Sequence, residues 1–339
     1  MKALVYAGPR KVEVREVAEP GPRAGAVKVG MRYCGVCGSD IGIYAGKHPR
    51  AKAPLVLGHE FVGVVEEGNG SGRFTAGDRV VAYPLLSCGT CLACRTGTPH
   101  VCRSLRLIGI DVDGGMAESA WIDEGVLFKV PGSLSDKAAA VVEPLAVIVH
   151  ALHQARFKVL DSAVITGAGP IGILTGIVLK QGGASRIVIS DIDEGRLEMC
   201  RAFGFETVNG RTASVVDYVA ETTGGEGMDL VFECSGSEGA AAEMTKLARI
   251  RGTICMTGVH KAPHAVDLME INFKEQTLVG TRVYTQHEFG ETVAYAATIG
   301  KELEAIVTQV VPLTGSEKIF EMIADPAVRT VKVLVDCRK

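Results

Sequence analysis

The segment SAVITGAGPIGILTGIVLKQGGASRIVISDID, residues 162–193, constrains the fold of this chain more than any other stretch. A short apolar run, Ala163 to Thr166, enters Gly167-x-Gly169-x-x-Gly172, and an apolar stretch of helical length continues to Lys180. A second apolar strand, Arg186 to Ser190, then ends at Asp191. Each glycine has its own use in such a unit. Gly167 permits the tight turn, Gly169 lets backbone approach a pyrophosphate, and Gly172 lets the helix pack close to its strand. Pro170 suits the first helical turn, where its missing N–H costs nothing. The helix N-terminus then faces the pyrophosphate. Asp191, 24 residues after Gly167, can accept hydrogen bonds from both ribose hydroxyls, and together with Asp193 it repels a 2′-phosphate. The segment predicts a dinucleotide site that takes NAD rather than NADP.

The alternation continues downstream. TASVVDYVAETTG reads as helix, MDLVFECSG as strand, GAAAEMTKLARI as helix and GTICMTG as strand, with FKEQTLVGTRVY closing the series. Strands alternating with helices build a parallel, doubly wound sheet. The N-terminal third reads differently. KALVYA, VEVREV, AVKVGMRYCGVCGSD, HEFVGVVEEG and DRVVAYP alternate apolar and polar residues between Gly and Pro, as in a small barrel or sandwich. SDKAAAVVEPLAVIVHALHQA reads as helix, and the chain from about Gln286 returns to the N-terminal style. With 339 residues, about two domains are expected. They are a β-rich domain of residues 1–144 plus 287–339 and an inserted α/β domain of residues 145–286.

CGTCLACRTGTPHVC, residues 88–102, supplies a second constraint. Cys88, Cys91, Cys94 and Cys102 follow C-x2-C-x2-C-x7-C, a spacing that lets tight turns present four thiolates to one tetrahedral zinc. All four ligands come from protein, so this zinc, in a lobe of residues 86–103, is expected to be structural. Reduced thiols fit the cytoplasm, and the N-terminal MKALVYAGPRKVEVREV has no apolar signal core. A formal net charge of −3 gives no electrostatic case for nucleic acid or an anionic membrane surface. The longest apolar stretch, Ala138 to Val149, is interrupted by Glu143 and is too short to span a bilayer.

Further chemistry is carried by CGVCGSD (Cys34, Cys37, Ser39, Asp40), GHE (His59, Glu60) and VEPLA (Glu143). Together with AGDRV, the cysteine lobe, GAGPIG, SDIDEGRL, FECSG and VKVLV, these motifs run in order through almost the whole chain. The set resembles the zinc-dependent medium-chain dehydrogenases, sorbitol (polyol) dehydrogenase-like branch. The resemblance implies a discontinuous GroES-like catalytic domain, an inserted Rossmann domain, and a catalytic zinc in the cleft between them. Matched position by position, Cys37 and His59 are zinc ligands. Glu60 binds the zinc directly or exchanges with water. Glu143 completes the site or holds its water. Ser39 takes the substrate proton and Asp40 orients His59. Ile171, Asp191, Arg196 and the Thr257 to Val259 turn with Gly258 match cofactor contacts, and Arg282 a substrate or cofactor contact. Cys34 matches no ligand and is read as packing.

The implied reaction is hydride transfer from a secondary alcohol of a polyol or sugar-like substrate to NAD. Two zincs per chain and a homodimer or homotetramer are expected. A zinc with an open position lowers the pKa of a bound hydroxyl. The sequence departs from the branch at Gly42, where a relay histidine is common, and at Ile43 and Val283, where aromatics are common. These departures leave a vicinal diol, threonine or a sugar acid open as substrate. A zinc-ribbon nucleic-acid binder conflicts with the charge, and a zinc-free quinone reductase should lack Cys37, His59 and Glu143. A non-catalytic redox-sensing relative is the remaining alternative.

Overall fold

The computed structural model describes residues 1–325 and 327–339. The chain divides into two units, Met1–Ala146 with Tyr284–Lys339, and Val147–Val283. The joints thus lie after Ala146 and before Tyr284, against 144/145 and 286/287 read from the sequence. Tyr284 belongs with the first unit because its ring packs on Tyr83 and Phe289 there.

The first unit is built on a seven-stranded sheet. Its order is Leu127–Lys129, Arg79–Ala82, Glu60–Glu67, Ala26–Gly35, Lys332–Asp336 and Val307–Pro312, with Ser119–Asp123 also paired to Ala26–Gly35. Lys11–Glu16, Lys2–Gly8 and Leu55–Val56 form a smaller sheet. The last strand, Lys332–Asp336, is inserted beside Ala26–Gly35 and buried along its whole length, so the C-terminal segment completes the core of this unit.

Local chemistry corrects three expectations here. The strand read through CGVCGSD stops at Gly35, and Gly38–Tyr44 is a helix. The Cys37 amide donates to Asp40 Oδ2 at 2.8 Å, a side-chain bond that favours a helix start over a ladder. The helix read over residues 135–155 is two, Asp136–Ala139 and Val142–Ala155, with Pro144 in the first turn of the second, where a proline is tolerated. The chain from Gln286 is not strand at first but helical, Gln286–Ala296 and Gly300–Ala305. Thr285 Oγ1 accepts the Glu288 amide while Glu288 Oε2 accepts the Thr285 amide, a reciprocal cap that starts the first of these helices.

The second unit is a six-stranded parallel sheet ordered Glu206–Asn209, Arg186–Asp191, Ser162–Thr166, Met228–Glu233, Ala248–Met256, Thr277–Gly280. Residues 248–250, read as the end of a helix, open the fifth strand. Val164, Val188, Val231 and Ile254 from four adjacent strands are fully buried with Val219, Met244 and Leu247 of the covering helices. The chain order reverses on either side of Ser162–Thr166, which puts the glycine-rich turn at the carboxyl edge where such sheets bind ligands. The fold is therefore α/β, with a doubly wound parallel sheet inserted into a β-rich domain, as the sequence predicts.

Candidate metal centres and dinucleotide site

Cys37 precedes the helix Gly38–Tyr44, and His59 and Glu60 stand where the chain enters the strand Glu60–Glu67. Their ligand atoms all lie within 4.8 Å of one another. His59 and Glu60 are buried, and Cys37 is half-buried. Burial opposes charging His59, yet Cys37, Asp40 and Glu143 around it raise its pKa well above the ordinary value. A thiol, an imidazole and a carboxyl brought this close offer sulfur, nitrogen and oxygen donors suited to a divalent cation. The His59 Nδ1 atom and Asp40 Oδ1 are both buried without a hydrogen-bond partner among the described residues.

Asp40, expected to orient His59, acts on it through charge and holds a second group as well. No hydrogen bond joins it to His59; its Oδ2 holds the Cys37 amide, so it positions the thiol. Burial pushes its carboxyl pKa up, partly offset by His59. Ser39 Oγ is buried and has no hydrogen-bond partner among the described residues. Glu143 is not part of the three-residue cluster. Its Oε1 accepts the Tyr284 hydroxyl at 2.5 Å, and burial raises its pKa while His59 and Tyr284 oppose the rise. Cys34 is buried in the core, as its reading as packing requires.

Two participants were missed in the sequence. Lys332 is 2% exposed, and its ammonium pairs with Glu60 Oε2 and donates to Val36 O at 3.2 Å. Tyr284 is fully buried beside Glu143. The signal for Lys332 is a lysine inside the apolar run VKVLV, where a charge needs a buried partner. Tyr284 follows the quoted Arg282 and carries no comparable signal. Arg282 itself is exposed.

In the cysteine lobe, Cys91 Sγ lies 3.5 Å from Cys94 Sγ and 3.8 Å from Cys102 Sγ, and Cys88 Sγ lies 3.9 Å from Cys94 Sγ. Four sulfurs about 2.3 Å from one zinc form a tetrahedron with edges of about 3.8 Å. Disulfides, with sulfurs about 2.05 Å apart, do not fit. Bonds from Thr90 and the Cys91 amide pull the Cys88 thiol down to about 5, toward the thiolate that a metal takes.

At the glycine-rich turn, Gly167 has φ +103°, and Gly169 precedes the helix Pro170–Gln181. A Cβ on Gly172 would collide with the Gly167 carbonyl, whereas one on Gly169 would meet nothing within 4 Å, leaving open space beside the helix N-terminus. Ile171 lies in the first turn of that helix. Asp191 is tied to the same turn: Oδ2 accepts the Ala168 amide at 2.6 Å, and Oδ1 accepts the Ile192 and Asp193 amides. The Arg196 guanidinium is 3.9 Å from Asp191 Oδ2.

Comparison with known proteins agrees with this geometry. Residues 23–132 match the family model of the alcohol dehydrogenase GroES-like domain, and residues 170–298 that of the zinc-binding dehydrogenases. The 2-dehydro-3-deoxy-L-galactonate 5-dehydrogenase of Pseudoalteromonas atlantica is 36% identical over 99% of both chains. The chain is a zinc-dependent medium-chain dehydrogenase. A sorbitol dehydrogenase of Halalkalibacterium halodurans is 36% identical to this dehydrogenase over 83% of its chain and 84% of the relative. The solved structure of a zinc-binding dehydrogenase from Sinorhizobium meliloti, bound to NADP, superposes with a TM-score of 0.92 at 29% identity, covering 99% of this chain and 98% of that one. The four-thiol lobe of the dehydrogenase is suited to a structural zinc. No helix among the described residues is long and apolar enough to cross a membrane.

Proposed function

We propose that this dehydrogenase oxidises a secondary alcohol of a polyol or sugar-like substrate to the ketone, with NAD as hydride acceptor. The observation that carries the proposal is the Cys37, His59 and Glu60 cluster beside a buried Glu143. One sulfur, one nitrogen and carboxylate oxygens form a harder donor set than two thiolates would, and oxygen-rich substrates suit it. Cys37, His59 and Glu60 would hold a catalytic zinc, and Glu143 stands back to hold water or exchange into the site. When bound, zinc supplies Lewis acidity toward the substrate hydroxyl. Ser39 Oγ receives the substrate proton. With Gly42 in place of a histidine, that proton leaves through water. Asp40 keeps Cys37 in place through its amide, and Tyr284 fixes the Glu143 carboxylate. Lys332 competes with the metal for Glu60.

The preference for NAD rests on Asp191, whose carboxylate stands at the end of the second strand, where a 2′-phosphate would meet a like charge. Gly167, Gly169, Ile171, Gly172 and Arg196 line the pyrophosphate and adenosine side, Gly258 the nicotinamide side, and Arg282 contacts substrate or cofactor. A sugar acid is the favoured second substrate class, because the Pseudoalteromonas atlantica relative is a dehydrogenase of 2-dehydro-3-deoxy-L-galactonate, a sugar acid. The protein would work as a homodimer or homotetramer. The edge strand Thr277–Gly280 with exposed Leu278, and the nearby exposed Leu268, Met269 and Phe273, would meet a second copy. Ten free cysteines suit the reducing cytoplasm. The test is a panel of polyols, sugar acids, butanediol and threonine assayed for NADH formation by zinc-loaded protein. Turnover confined to sugar-like alcohols is expected; activity with none of them would refute the reading.

A further inference from the structure

Glu143 and Tyr284 lie at the two places where the chain leaves the first unit and returns to it. Glu143 stands in the first turn of the helix Val142–Ala155, shortly before the joint after Ala146, and Tyr284 is the residue of return. The Tyr284 hydroxyl donates to Glu143 Oε1 at 2.5 Å. The donor has little freedom. Its ring is fully buried, stacks on Phe289 with centroids 5.6 Å apart, and meets the Tyr83 ring edge-on at 5.8 Å. Its carbonyl accepts the Tyr83 hydroxyl at 3.5 Å. The next residue, Thr285, caps the helix Gln286–Ala296. The acceptor is fixed at its root, because Pro144 locks the backbone of the turn that carries Glu143.

The carboxylate so held lies beside the metal cluster without belonging to it. Its neighbours in charge include His59, Glu60 and Lys332. Yet the ligand atoms within 4.8 Å of one another are those of Cys37, His59 and Glu60, and Glu143 is not among them. Glu143 is buried, so without the phenol its carboxylate needs another partner. Lys332 is committed to Glu60 and to Val36 O. A zinc held by Cys37, His59 and Glu60 is the other cation beside it. Zinc accepts carboxylate oxygen, and four protein ligands make a closed site of the structural kind, whereas a site that does chemistry keeps one position open.

We infer that Tyr284 is a positioning residue that keeps Glu143 off the metal and so leaves the fourth position of the site free for substrate. The inference rests on the catalytic-zinc reading above and goes beyond it: one phenol, not the shape of the three-ligand cluster, holds that position open. Removing the hydroxyl while keeping the ring lets Glu143 close the site. A residue that merely supports metal ligands from outside the coordination sphere weakens metal binding by about 10–100-fold when it is lost. Loss of the Tyr284 hydroxyl should act in the opposite direction, because the site gains a ligand.

The test follows release of zinc from Tyr284→Phe to a chromogenic chelator. The catalytic-site phase is identified as the one missing from Cys37→Ala. Phenylalanine keeps the packing on Phe289 and Tyr83. The catalytic-site phase should slow by roughly tenfold or more relative to wild type, while release from the four-cysteine lobe is unchanged. Adding Glu143→Gln to Tyr284→Phe should return that phase to the wild-type rate, because a neutral amide is not a usual zinc ligand. Release from Tyr284→Phe that is faster or unchanged overturns the inference, and so does slow release that persists in the double variant. A crystal structure of zinc-loaded wild type gives a readout independent of any variant. Glu143 should remain on the Tyr284 hydroxyl; a Glu143 oxygen at a zinc-bonding distance of about 2.0–2.2 Å would overturn the inference. Wild type with no release phase sensitive to Cys37→Ala refutes the catalytic-zinc reading and this inference with it.

Discussion

Lys332→Met should destabilise the zinc-free protein far more than the zinc-loaded protein. Lys332 is buried among Glu60, Cys37 and Glu143; burial lowers its pKa, but those neighbours outweigh it and hold the pKa above the ordinary lysine value, so the side chain is charged. Methionine keeps much of the stem's apolar volume and removes the cation, leaving Glu60 at 1% exposure without its partner. Breaking a buried ion pair from one side costs about 3–5 kcal/mol. At about 2–4 °C per kcal/mol for a domain of this size, the melting temperature of chelator-treated protein should fall by about 6–20 °C. In zinc-loaded protein the metal supplies Glu60 with a cation, so less than half of that loss is expected. Scanning calorimetry with and without chelator measures both. Glu60→Gln with Lys332→Met should recover much of the zinc-free loss, because neither charge is then stranded. An equal loss with and without zinc, or none after chelation, would refute the argument that Lys332 and a metal share Glu60.

NAD should be preferred over NADP by at least about tenfold in kcat/KM, the ~1.4 kcal/mol expected from one repelled phosphate; equal constants would remove Asp191 from that role. Glu143→Ala should lower kcat by roughly 10²-fold while NADH binding stays near normal, and near-normal turnover would take Glu143 out of the site. Asp229 accepts from Ser162 N, Ser162 Oγ and Arg249 Nε at 2.8, 2.6 and 2.6 Å. Burial raises its pKa, but Ser162 and Arg249 outweigh it and the net shift is downward. A depressed folded pKa contributes stability above the unfolded value of about 3.9 that is lost as pH falls through the lower folded value. The melting-temperature gap between wild type and Asp229→Asn should therefore close in acid, and a gap constant from neutral pH to pH ~3 would contradict this.

What the sequence showed depended on whether the signal was local. Gly167, Gly169, Gly172 and Asp191 lie within one strand–turn–helix–strand unit, and the four lobe cysteines within fifteen residues, so spacing alone was enough to propose both sites. Cys37 and His59 are brought together by adjacent elements of the sheet, and only the resemblance to a family paired them. Lys332 and Tyr284 reach the site from the far end of the chain, by a strand inserted beside Ala26–Gly35 and by the joint at which the chain re-enters the first unit. No pattern within either segment reports such a partner. The helical return at Gln286 was missed for another reason: Thr285-x-x-Glu288 is a readable cap, and alternation was weighed above it. Asp40 shows what position alone leaves out: its carboxylate raises the His59 pKa through its charge, as a partner of His59 should, and also bonds the Cys37 amide, which no motif announces.

Metal content tests the central claim most directly, that one chain holds two zincs in separate sites with different work. Purified wild type should contain two zincs per chain. Cys37→Ala should retain about one, keep its melting temperature and NADH binding, and lose turnover. Cys91→Ala should also retain about one, but melt lower and be cut by protease near residues 88–102. A wild type with a single zinc, or a Cys91→Ala protein that kept full stability and lost only turnover, would contradict the account.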